Sequence, residues 1–192
     1  MSLLSTHSNG FTAILKFNTS STEPRYMAVV AFTGTLNSLD WEDSLFNSGL
    51  NELDIHEGYF NRVYNVKDHL EKQLNKLQKK YDFQDVLFTG HSMGGTEASI
   101  APVLLKHAFP GTFFHVITFG QSKPGGYEFR RFAEQSITFH RRIVNCGDPA
   151  SGMPRSDAYT HIDDGVTLYS VFKLIVFTHL RKLLKNELKA EK

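Results

Sequence analysis

The sequence predicts an α/β fold: a mostly parallel central sheet flanked by helices, in a compact, short version. Three observations lead there. Apolar runs such as YMAVVAF (26–32) and FFHVITF (113–119) are nearly unbroken, as strands covered on both faces require. A long segment between them has helical periodicity, and strands and helices then alternate along the chain. With 192 residues, 41% of them hydrophobic, the chain suits one domain and is awkward for two.

The elements follow in order. Phe11–Phe17 and Tyr26–Phe32 read as strands separated by the polar turn at Asn18–Pro24. Phe60–Tyr81 reads as a helix, because Val63, Val66, Leu70, Leu74 and Leu77 recur at three or four residues among Lys and Glu. Asp85–Thr89 is a short apolar strand, and Thr96–His107 is a helix that stops before Pro110. Phe113–Phe119 and Thr138–Asn145 are core strands, and Val166–Val171 is an edge strand. Thr178–Lys189 is an amphipathic helix with Leu180, Leu183, Leu184 and Leu188 on one side. The polar stretches Asn47–Asp54 and Gly147–Ser156 are too short to be interdomain linkers.

Composition removes several classes of function. Lys and Arg total 21 against 20 Asp and Glu, a balance that does not suit phosphate-backbone binding, so nucleic acid is not an expected partner. The one cysteine, Cys146, excludes an internal disulfide and any multi-cysteine zinc site. No H-E-x-x-H and no phosphate-binding glycine loop occurs, and no cofactor is expected. The start, MSLLSTHSNG, lacks a basic region and an apolar run, and the apolar stretch Val171–Phe177 is too short to span a bilayer. The expected location is cytoplasmic, with peripheral membrane contact, or secretion from a longer precursor.

The most informative segment is VLFTGHSMGG (86–95). It holds Gly90-His91-Ser92-Met93-Gly94, the G-x-S-x-G pattern, between an apolar strand and a helical pattern. A strand reversing sharply into a helix would place Ser92 at the apex, and glycines two residues either side avoid collisions there. A serine nucleophile needs a base, and the base needs a carboxylate. The candidates after Ser92 are Asp148, Asp157, Asp163 and Asp164 for the acid. For the base they are His107, His115, His140, His161 and His179. Asp148, in NCGDP just past a strand, sits where open α/β sheets carry their site loops. Spacing alone does not choose among the histidines.

Five segments, in order, resemble the class 3 lipases, the fungal-type triacylglycerol lipase family of the α/β-hydrolase fold. They are AFTGTLNSLDW (31–41), IHEGYF (55–60), TGHSMGG (89–95), ITFGQSKPGGYEF (117–129) and RIVNCGDPASGMP (142–154) with Tyr159 and His161 after it. Thr33, Met93 and Ser122 depart from the Arg, Leu and Pro usual there. The resemblance implies Ser92 as nucleophile, Asp148 as acid, and His179 in FTHLRKLL as base, with His161 matching a different family histidine. Thr35 and Met93 would supply oxyanion-hole N–H groups. His56 would pack below the site, His91 would point into the neighbouring strands, and Asp40 and Trp41 would anchor a lid at residues 36–50. That segment reads equally as an ordinary surface helix.

The expected activity is a lipid-ester hydrolase, on triacylglycerol or a related acylglycerol, through an acyl-enzyme. The alternatives are a phospholipase A1, a short-chain esterase, or an inactive lipase-like scaffold. The partners implied are the ester substrate and transient contact with a membrane or lipid-droplet surface. The basic residues Lys173, Arg181, Lys182, Lys185, Lys189 and Lys192 read as the solvated face of a helix, diluted by Glu187 and Glu191.

Overall fold

A computed structural model describes residues 2–7, 10–17, 24–34, 49–163 and 165–168 of the chain. Among these residues the strands are β1 Ser2–His7, β2 Gly10–Phe17, β3 Arg25–Phe32, β4 Asp85–His91, β5 Phe113–Phe119, β6 Phe139–Asn145 and β7 Val166–Leu168. The helices are α1 Glu57–Tyr81, α2 Met93–Leu105 and α3 Tyr127–Ser136. The strands form one sheet in sequential order, antiparallel from β1 to β3 and parallel from β3 to β7.

The register explains the burial. Val30, Phe88 and Val116 lie side by side across three parallel strands, as do Ala28, Val86 and Phe114. All six are fully buried or nearly so beneath the helices. Leu87, Ile117 and Phe119 project from the opposite face and are half-buried, while Phe113 there is exposed. Among the described residues the three helices pack side by side on one face, α2 in the middle.

The α1 stripe is the one read from the sequence: Val63, Val66, Leu70, Leu74 and Leu77 are all buried, joined by Tyr59 in the added first turn. The helix stops at Asp82, in left-handed conformation (φ 46°, ψ 47°), whose N–H closes on the Gln78 carbonyl. Lys79 and Lys80 in the last turn complement the helix dipole. The middle helix α2 is buried all round from Met93 to Pro102, so its position in the core, not its own amphipathicity, holds it.

Two elements escape the sequence reading. One is β1, which pairs with β2 across a register break between Leu3 and Ser5. The other is α3, whose start is capped from far away: Asp54 accepts Gly126 N–H on its carbonyl at 2.8 Å and Glu128 N–H on its carboxylate at 2.9 Å. The helix read as Thr96–His107 begins three residues earlier, at Met93, and its last turn becomes a 3-10 helix at Lys106–Ala108. The expected edge strand ends at Leu168 within the described residues. The expected helix at 178–189 and the lid residues 36–48 lie outside them. No described helix is long and apolar enough to cross a membrane.

Candidate active site

The chemistry gathers where the parallel strands end. β4 runs out at His91, and Ser92 turns the chain into α2 with φ 55° and ψ −126°. A non-glycine residue in that region costs about 1–3 kcal/mol, so the surroundings must enforce it. They do so by close packing. A Cβ on Gly90 would lie 2.3 Å from the Gly94 carbonyl oxygen, and one on Gly94 would lie 2.6 Å from both the Phe32 and Thr33 carbonyl oxygens. The helix start thus rests directly on the end of β3. Ser92 N–H donates to the Phe119 carbonyl at 2.8 Å, which extends the β4–β5 ladder by one rung. The Ser92 side chain does not cap the helix, and the residue is half-buried.

Met93 follows with its side chain in the core, 2% exposed. Its backbone lies in the first turn of α2, the positive end of the helix dipole. The turn after β3 reaches the same place: a Cβ on Gly34 would be 2.8 Å from the His91 carbonyl oxygen. Thr35, the next residue, lies outside the described residues, as do Asp40 and Trp41.

Asp148 stands three residues past β6. Its Oδ1 accepts Ala150 N–H at 3.0 Å, its own N–H donates to the Asn145 carbonyl at 3.0 Å, and Ser151 Oγ donates to the Asp148 carbonyl at 2.8 Å. Oδ2 is turned the other way, over Gly120 at the end of β5, only 2.7 Å from where a Cβ would stand. Gly120 has φ 57°, a conformation that glycine adopts without strain. Its N–H donates to the Ile143 carbonyl at 2.8 Å, fixing β5 against β6 just below the carboxylate. The His91 ring and Asp148 Oδ2 therefore converge over Gly120, at the ends of adjacent parallel strands, with Ser92 the next residue after His91.

The other described acid candidates have different surroundings. Asp157 is in an exposed turn, and Asp164 lies outside the described residues. Asp163 faces His140 Nδ1 at 3.2 Å and Arg142 Nε at 3.5 Å, and accepts Arg142 N–H at 3.3 Å. Its carboxyl is held below the ordinary value: burial pushes it up, but the His140 hydrogen bond and the charges of His140 and Arg142 outweigh that.

Of the base candidates, His107 lies beyond the far end of α2, and His115 pairs with Asp85 at 2.7 Å where the strands begin. His140 likewise sits near the start of β6. His161 Nε2 donates to the Ser151 carbonyl at 2.8 Å, so the ring braces the loop that carries Asp148. Burial first, then the Arg142 charge, press its pKa down to about 4, which leaves it neutral at pH 7. His179 lies outside the described residues. His56 is fully buried and packs between Tyr59 and Tyr159, with ring centroids 4.5 and 5.6 Å away.

A polar layer beneath the elbow went unread in the sequence. Thr118 Oγ1 donates to Gln121 Oε1 at 2.5 Å, Gln121 Nε2 donates to Ser99 Oγ at 3.3 Å, and Thr96 Oγ1 donates to the Ser122 carbonyl at 3.3 Å. These bonds tie the loop after β5 to α2. Next to them Glu97, fully buried, is ion-paired with Arg62 of α1. Burial raises its carboxyl to about 7 even with Arg62 pulling down. The only sequence signal was a carboxylate inside an otherwise small and apolar helix, TEASIAP. Among the described residues no three His, Cys, Asp or Glu side chains cluster as a metal would require.

The family model for lipase (class 3) matches residues 17–158, most of the chain. Lipase ZK262.3 of Caenorhabditis elegans is 32% identical over 77 residues, covering 39% of this chain and 22% of that protein. The triacylglyceride lipase of Rhizomucor miehei superposes with a TM-score of 0.67 at 21% identity, over 87% of this chain and 65% of that one. Lipase II of Rhizopus niveus gives 0.64 at 22% identity, over 82% and 66%. In the Rhizomucor miehei lipase propeptide complex the match spans 48% of the fungal chain, about half its length. At such identities the structural likeness establishes the fold, a lipase-like α/β-hydrolase sheet. The elbow, the acid loop and the family match converge: the chain belongs to the class 3 lipase family.

Proposed function

We propose that this protein hydrolyses carboxylic esters of lipids, triacylglycerol or a related acylglycerol, through an acyl-enzyme on Ser92. The observation that carries the reading is the strained Ser92 turn (φ 55°), directly after a His91 ring that shares the space over Gly120 with a carboxylate oxygen, Asp148 Oδ2, whose twin is bound to backbone. The base in this reading is His179, brought by the C-terminal segment. Its H-L context before a leucine-rich stretch supports that role, and the engagement of His161 with the Ser151 carbonyl counts against the nearest rival.

The chemistry follows the serine-hydrolase logic. His179 takes the Ser92 hydroxyl proton as the oxygen attacks the ester carbonyl, and Asp148 stabilises the imidazolium. Backbone N–H groups of Met93 and Thr35 receive the oxyanion, in a site whose dipoles are already oriented. The imidazolium protonates the departing alcohol, the acyl group stays on Ser92, and water activated by the same imidazole releases the acid.

The experiment is a substrate panel on wild type and Ser92→Ala: emulsified triglyceride, phospholipid vesicles and a soluble p-nitrophenyl ester. Wild type should cleave triglyceride fastest, and Ser92→Ala should fold normally and cleave none. Faster cleavage of phospholipid would make it a phospholipase A1, and cleavage of the soluble ester alone a short-chain esterase. No cleavage of any substrate by wild type would overturn the proposal and leave the scaffold reading.

A further inference from the structure

The proposed triad leaves a titratable side chain at its centre without a role. His91 ends β4 directly before Ser92, and its ring lies between two turns that belong to different strands. On one side Nδ1 is 3.6 Å from the point a Cβ on Gly34 would occupy, in the turn that leads to Thr35. On the other, Nε2 and Cδ2 are 3.5 and 3.7 Å from the corresponding point on Gly120, the same point that lies 2.7 Å from Asp148 Oδ2. Both neighbours are glycines, so the imidazole meets bare backbone on each side. A side chain at either position would push on the ring or on the carboxylate.

The electrostatics agree with this placement. Part of the residue is exposed, yet burial of the ring lowers its pKa from the ordinary imidazole value, and the Asp148 charge pulls it back up. Asp148 is thus near enough to act on His91 through space, and the interaction is mutual. The sequence reading has His91 pointing into the neighbouring strands; its ring instead lies over their ends, near Asp148 Oδ2.

We propose that His91 is a positioning residue, an imidazole wedged between the turn at Gly34 and the turn at Gly120 that sets where Asp148 Oδ2 and the Gly34 turn stand relative to Ser92. This rests on the reading of Ser92 and Asp148 given above. It requires no proton transfer by His91. A neutral ring leaves the Asp148 charge whole for the base. An imidazolium would pair with Asp148 and compete with the base for it.

Two measurements on the full chain test it. The first needs no turnover: the His91 ring is titrated by NMR in the Ser92→Ala protein, with and without Asp148→Asn. Removing the carboxylate charge should lower the His91 midpoint, and an unchanged midpoint would overturn the contact. The second is kinetic, on a soluble ester. His91→Ala should lower kcat about 10- to 100-fold with KM within roughly twofold, since small misplacements of reacting groups carry that cost. His91→Gln, which restores a polar group on the Asp148 side, should recover much of the loss, and it serves as the readout if the alanine variant folds poorly. His91→Phe, which fills the wedge without ring nitrogens, should not recover it. Wild-type kcat in His91→Ala, or full recovery by His91→Phe, would contradict the proposal. If wild type shows no turnover while the NMR shift appears, the hydrolase reading has failed and the His91–Asp148 contact stands.

Discussion

Asp148 and Asp163 lie on the same segment after β6, and the structure treats them in opposite ways. Asp163 is spent: its carboxylate faces His140 and Arg142 and accepts a backbone N–H, so the charge is consumed in pinning the loop to β6. Asp148 is half-spent. One oxygen orders its own loop through Ala150 N–H, and the other stands over Gly120 at the end of the sheet. Asp163 stands against two basic side chains, whereas Asp148 Oδ2 stands at the end of the sheet near the His91 ring, and those surroundings, more than proximity to a strand end, separate the two. The sequence could not tell them apart by type or spacing.

The largest expected effect breaks the comparison directly. Asp148→Asn should keep the loop, because the amide oxygen can still accept Ala150 N–H, yet lose about 10,000-fold in kcat with little change in Tm. Ester kinetics beside thermal melts would show it. A buried carboxylate outside the site extends the contrast. Glu97 is held at about 7 against an ordinary 4.5, so the folded state binds a proton that the unfolded state has released between those values. The Glu97 contribution should therefore fall as pH rises from 4.5 to 7, by on the order of 3 kcal/mol, against an opposite contribution from His161, whose folded value of about 4 lies below the ordinary imidazole range. In urea melts taken across pH, the stability of wild type minus that of Glu97→Gln should fall between pH 4.5 and 7.

Asp163→Asn should do the reverse of Asp148→Asn: kcat within a few-fold of wild type, with stability at pH 7 lower by about 1–3 kcal/mol. Because the Asp163 carboxyl is held below its ordinary value when folded, its contribution is present above that ordinary value and is lost as pH falls through the depressed one. The stability difference between wild type and Asp163→Asn should therefore close in acid. The smallest expected change is at Gly120→Ala. A left-handed alanine costs about 1–2 kcal/mol, and its methyl would lie 2.7 Å from Asp148 Oδ2 at φ 57°, so kcat should fall further than stability alone would suggest.

Much of the fold was legible because its signals are local. The β5 run FFHVITF and the α1 stripe from Val63 to Leu77 declare their partners by periodicity, and both lie where they were expected. The helix α3 was not legible: only Phe129 and Ala133 are buried, its N-cap Gly126 has no side chain, and the capping carboxylate is that of Asp54, 74 residues before the Glu128 N–H it accepts. The start of α2 hid for another reason, since Met93, Gly94 and Gly95 look like a loop and become helical only because β3 and β5 press on them. At the site, the serine and the acid could be proposed from motif context. His91 could not be placed, because its position between Gly34 and Gly120 depends on a positive φ and a strand register that no single segment encodes. Glu97 was hidden likewise, a charged letter in a helix whose every face is covered.

The central claim is that the Ser92 hydroxyl is made nucleophilic by an imidazole supported on Asp148, and that this imidazole is His179. The direct test is the rate at which a fluorophosphonate modifies Ser92, located by peptide mass spectrometry, in wild type, His179→Ala and His161→Ala. The account predicts rapid labelling in wild type, near wild-type labelling in His161→Ala, and a loss of several orders of magnitude in His179→Ala. Normal labelling in His179→Ala, or a wild type in which Ser92 is never modified, would contradict it.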